Sequence, residues 1–195
     1  MNSTFVPLLI FAIALLAAFT LRERQRRISL ARQHRIRAYV FPDTVFEEFA
    51  KTYPHLGPKD AQLVARALRT FFIVHARAPR QLVGMPSKAV DAMWHAFILD
   101  TRAYRVFCQA AFGSFFHHVP ATAMKTDDRS KLAMWRTWRM SCLEENINPV
   151  KATRLPLLFA LDAKLSIPDA VHYNAEMFKK PPDTSGGCGG GGCGG

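Results

Sequence analysis

Apolar residues are distributed along this chain in two regimes. From residue 5 to 21 they are continuous: FVPLLIFAIALLAAFTL carries no charge, and Thr20 is its one polar side chain. Past Tyr39 they recur at three- and four-residue intervals, the period of helices with one buried face. Thr44 followed by Glu47 reads as a capping box, and Phe46, Phe49, Ala50 and Tyr53 form a stripe that Pro54 and Gly57 bring to an end. Pro58 precedes a helix expected over 59 to about 76, with Leu63, Val64, Ala67, Leu68, Phe71 and Phe72 on its inner side and His75 as a capping or surface residue at its end. Ser87 is the natural N-cap of a helix reaching about Leu99. Asp100 and Thr101 start another that runs to Phe112, where Gly113 supplies the left-handed residue that closes a helix. Asp127 and Asp128 introduce a helix over 129 to about 146, and the prolines at 156 and 168 leave room for short helices at 157–165 and 169–178. No stretch sustains alternation at period two, so the fold class is expected to be all-α.

The run 5–21, extended by Asn2 to Thr4, approaches the twenty or so residues with which a helix crosses a bilayer. It is therefore expected to be a single transmembrane helix within 1–21. A basic juxtamembrane helix at 22–38, a helical domain at 39–180 and a disordered tail rich in Gly and Cys at 181–195 follow. No basic residue precedes the apolar run, which is the wrong charge order for a cleavable signal. Arg22, Arg24, Arg26 and Arg27 come directly after it, an order that puts the N-terminus outside and the remaining chain on the cytoplasmic side. The same four arginines are expected at the membrane surface, each attracted to anionic lipid headgroups by about 1 kcal/mol.

Charge sharpens this picture. The formal net charge is +11, and seven arginines with one glutamate lie between positions 22 and 37, so most of the excess is one patch. An anchored helix accounts for that patch, and no nucleic-acid-binding module accompanies it, which argues against nucleic acid as the partner. Four cysteines do not make a disulfide framework in 195 residues. Cys108 and Cys142 sit in apolar helical surroundings, whereas Cys188 and Cys193 lie in a terminal stretch holding eight of the eleven glycines. This usage suits a reducing compartment.

The candidate chemistry is concentrated between Pro86 and Pro120. Asp91 and His95 are four residues apart on one helical face, and Tyr104 and Cys108 repeat that spacing on the next. His117 and His118 follow in a loop. If the chain folds back near Asp100, His95, Cys108 and one or both of His117 and His118 form a metal site. Mixed nitrogen and sulfur donors would then favour zinc, and Asp91 and Tyr104 would stand as outer partners. The bland alternative is that Trp94 and His95 are a packed indole and a hydrogen-bonded imidazole, with no cofactor at all. A third possibility makes Cys108 a nucleophile served by a histidine base, but its neighbours Phe107 and Ala110 are poor surroundings for a thiolate. There is no phosphate-binding glycine loop, no serine nucleophile elbow and no zinc-protease helix motif.

The order Asp91, Trp94, His95, Tyr104, Cys108, Gly113, with the glycine and cysteine tail at 186–195, resembles the glycine-rich domain-containing proteins known in plants and as uncharacterised bacterial proteins. The resemblance covers 83–120 and the tail. Plant members often carry a second histidine soon after the first, where this chain has Phe97. What the resemblance implies is a helical module with no catalytic role to transfer. The sequence thus leads to an anchored helical protein that binds a protein partner as an interaction or scaffold module, with a zinc-binding domain as its alternative.

Overall fold

The computed structural model describes residues 5–79, 81–118 and 128–182, with side chains of the first helix described from Leu8 onward. The tail from 183 lies outside the described residues. Among the described residues there are seven α-helices: α1 (Phe5–Ala38), α2 (Asp43–Thr52), α3 (Pro58–Arg77), α4 (Lys88–Leu99), α5 (Thr101–Ala111), α6 (Asp128–Glu144) and α7 (Leu157–Lys164), followed by a 3-10 turn at Ala175–Phe178. No strand occurs among the described residues, so the all-α expectation holds.

α3 is the hub. Its residues Thr70, Phe71, Phe72, Ile73 and Val74 are buried in succession, which a helix can do only when neighbours cover every side of it. Those neighbours are α1, α2, α4, α6 and α7. Phe72 alone has Trp94, Phe97, Phe107, Phe112 and Phe116 within 4.9 to 6.4 Å, centroid to centroid. A second aromatic nucleus forms where Trp138 of α6 stacks on Phe178 at 4.7 Å and meets Phe159 of α7 edge-on at 5.3 Å.

The N-terminal expectations need correction. Among the described residues no helix is long and apolar enough to cross a membrane. The charge-free run passes directly into Arg22, Glu23 and Arg24, so any longer stretch of the same helix takes up charge. The single-pass anchor, and with it the membrane localisation with an outer N-terminus and a cytoplasmic domain, is not supported. Residues 22–38 are not a separate element either. They continue α1 without a break, and Gln33 and Ile36 are buried where its end joins α3 and α5. Arg26 and Arg27 are exposed and turn back toward Glu23 at 3.9 and 3.1 Å. Further along, the basic segment is structural. Arg37 forks onto Glu144 at 2.8 and 2.9 Å, and Arg77 of α3 reaches the same carboxylate at 2.7 Å. One half-buried acid thereby ties α1, α3 and α6 together.

Helix starts at Ser87 and Asp100 follow their local signals, and the chain departs from its local signals at two places. Ser87 accepts the Val90 N–H and Asp100 accepts the Ala103 N–H, as their side chains suggest. Thr44 is not a cap: α2 begins at Asp43, and the Thr44 hydroxyl donates to Asp100 at 3.1 Å, joining α2 to the α4–α5 turn. The expected helix at 169–178 shrinks to the 3-10 turn, with Asp169 in a left-handed conformation at φ 52° that a helix cannot use.

A buried carboxylate joins α7 to the start of α4. Asp162, 4% exposed, accepts the Ser87 hydroxyl at 2.5 Å, the Lys88 N–H at 2.6 Å and the Ala89 N–H at 3.3 Å. A carboxylate from a distant helix thus supplements the Ser87 cap and favours the positive end of α4. Asp162→Ala leaves those donors buried without a partner and is expected to lower stability by roughly 2 to 4 kcal/mol. A urea titration checks this; a midpoint equal to that of the parent protein contradicts it.

Candidate functional site

Asp91 and His95 project from the same side of α4. What brings a third group to them is the return of the chain after α5. Gly113 closes α5 at φ +79°, donating its N–H to the carbonyls of Cys108 and Gln109 at 3.2 and 3.1 Å. A Cβ at that position would also displace the tip of the flexible Arg32 side chain, but it is the left-handed backbone that calls for glycine.

The loop is then pinned by a buried phenol. The Tyr104 hydroxyl accepts the indole N–H of Trp94 at 3.1 Å and donates to the Phe116 carbonyl at 2.5 Å. The Phe116 ring lies between Trp94, stacked at 4.9 Å, and His75, stacked at 3.6 Å. With residue 116 held on both its backbone and its ring, His118 arrives over α4.

There His118 Nε2 is 2.9 Å from Asp91 Oδ1, and His95 Nδ1 is 3.6 Å from Asp91 Oδ2. The two imidazoles are 4.2 Å apart, and His118 also lies against Trp94 at 4.6 Å. Asp91, His95 and His118 each offer one ligand atom, all within 4.8 Å of one another. Bond lengths of about 2.0 to 2.1 Å around a tetrahedral ion imply ligand separations of about 3.3 Å, so the widest gap must close by about 1.5 Å. The side chains are 13% exposed at His118, 35% at Asp91 and 53% at His95, which places the cluster at the surface with His95 outermost.

The set differs from the one expected from sequence. His95 and His118 come together; Cys108 and His117 are not part of the group. Cys108 is fully buried beneath Tyr104, and burial raises its thiol pKa, keeping it protonated and a poor ligand or nucleophile. His117 is exposed next to Phe115 at 4.8 Å. Asp91, expected as an outer partner, is itself a member of the cluster, and Tyr104 acts on the Phe116 loop.

Beside the cluster opens a cavity of about 220 Å³. Phe71, Trp94, Phe116 and Tyr173 form much of its apolar wall, and Asp91 and His118 lie on its lining, as do Lys88 and His75. His75 is far from the capping or surface role expected of it. Its Nδ1 is buried with no partner in the protein, and burial pushes its pKa down from 6.5 to about 4.

An all-helical domain bearing two histidines and one carboxylate on the rim of an apolar cavity is the class these features define. The chain belongs to the UCP032817-like family, whose model matches residues 31–191. That match runs through nearly the whole helical body and overturns the resemblance to the glycine-rich domain-containing proteins, which rested on one segment and the tail. No curated protein and no solved structure matches the chain.

His75 gives the site a defined response to acid. The unfolded chain takes up a proton at this ring as pH falls through about 6.5, whereas the folded protein does so only near 4. Stability is therefore lost progressively across that window, by up to about 3 kcal/mol, and this contribution does not change further below it. His75→Phe, which keeps a ring against Phe116, is expected to lose about 2 kcal/mol less than the parent between about pH 7 and about pH 5. Urea midpoints at the two pH values measure the difference; equal losses in both proteins refute it.

Proposed function

We propose that the protein is a metal-binding domain in which Asp91, His95 and His118 hold a divalent first-row ion, with zinc as the best match. The observation that carries this reading is the convergence of three ligand atoms within 4.8 Å from two separate parts of the chain. Helix periodicity alone supplies Asp91 and His95; His118 needs the Gly113 turn and the Tyr104 anchor to reach them. Two imidazoles and one carboxylate suit zinc and its neighbours in the first row. Three protein ligands leave coordination open to water or a bound molecule. The sulfur donor expected from the sequence drops out, so the ligand set is nitrogen, nitrogen and oxygen.

Full-length protein purified without a histidine tag and incubated with zinc is expected to retain about one equivalent by elemental analysis. His95→Ala, an exposed change, and His118→Ala each remove a ligand and should lower affinity by more than the roughly 10- to 100-fold typical of an outer partner. Cys108→Ala should leave it unaltered. Zinc well below one equivalent, or content indifferent to both histidine changes, rules the site out.

A second reading, an interaction module, draws on α1. Leu8, Leu9, Ile10, Phe11, Leu15, Leu16 and Phe19 are each 56 to 68% exposed, an apolar surface larger than isolated side chains produce. Covering by another protein would bury it. Replacing Leu9 and Leu16 with Gln is expected to abolish association of the full chain with itself or a partner in sedimentation; unaltered sedimentation of an assembly counts against α1 as its contact.

A further inference from the structure

We infer that the cavity beside the cluster binds a small aromatic carboxylate, its ring among Phe71, Trp94 and Phe116 and its carboxylate on the ion held by Asp91, His95 and His118. This rests on the metal reading above and adds what the open coordination is for.

Size sets the first limit. A cavity of about 150 Å³ lined by apolar side chains accommodates benzene, so about 220 Å³ accommodates a single ring with a short substituent. The wall supplies the matching chemistry. Phe71 is 2% and Trp94 3% exposed, and Phe116 has its two faces against Trp94 and His75, so the wall presents fixed apolar ring edges to a ligand.

Charge sets the second. A divalent ion balanced by one carboxylate retains a unit positive charge, and Lys88 on the same lining adds another. The other carboxylate close to this end of α4, Asp162, is already occupied by the Ser87 hydroxyl and the backbone N–H groups of Lys88 and Ala89. An anionic head is therefore favoured at the cavity end where Asp91 and His118 lie.

The test uses full-length protein with zinc content measured first, then titrated calorimetrically with benzoate and acetate. On zinc-loaded protein benzoate is expected to bind at least about tenfold more tightly than acetate, a difference of about 1.4 kcal/mol. It is also expected to bind at least tenfold more tightly there than on protein stripped of zinc. Val171→Trp, an exposed change at the cavity lining, should abolish the preference for benzoate while zinc content stays at about one equivalent. Equal binding of benzoate and acetate to zinc-loaded protein, or a benzoate preference untouched by Val171→Trp, overturns the cavity assignment and leaves the metal site standing. Failure to retain zinc overturns the metal reading itself, and the carboxylate assignment with it.

Discussion

The hydroxyl of Tyr104 is the constraint on which the geometry of the site depends. It lies in the aromatic core, where a phenol left without partners would be strongly unfavourable, and it satisfies both of its hydrogen-bonding capacities with Trp94 and the Phe116 carbonyl. Those two contacts connect α4, α5 and the following loop through a single oxygen. Burial raises the Tyr104 pKa far above the ordinary phenol range, so the hydroxyl keeps its proton and its donor role throughout the accessible pH range. His118 is two residues beyond the anchored carbonyl, too close to wander from α4.

Charge organises the rest of the body around a few carboxylates. Glu144 gathers Arg37 and Arg77, Asp162 holds the start of α4, and Glu145 both accepts the Leu157 N–H at 2.6 Å and pairs with Arg154 at 2.7 Å. In each case an acid from one element serves the backbone or cations of another. The arginine-rich end of α1 is part of this arrangement, so at least some of the basic patch is internal scaffolding rather than a surface waiting for an anion.

Helix existence was legible because it depends on local periodicity and capping. The stripes on α3 and α4, Ser87, Asp100 and Gly113 all act over a few residues, and the chain obeys them. Contacts between distant segments were not legible. Nothing in the residues around Asp162 tells that its partners are at 87–89, and nothing near Thr44 indicates Asp100. Asp91 and His95 were visible as a pair, but choosing His118 over His117 and Cys108 required the direction of a loop set by Tyr104. Cys108 sits on a correctly predicted helix yet points into the core, where its thiol is unreactive. The long apolar run at the N-terminus had an unmistakable composition, yet among the described residues no helix combines the length and apolarity that a membrane crossing needs.

The 2.9 Å contact between Asp91 and His118 has a consequence for how an ion would be taken up. In small zinc domains the metal assembles its own ligands, and removing it unravels the chain. Here the carboxylate already contacts the imidazole, so loading and unloading of an ion would be decoupled from folding. A chelator would strip such a centre while helical content survives, which is the behaviour of an exchangeable cofactor and not of a structural staple.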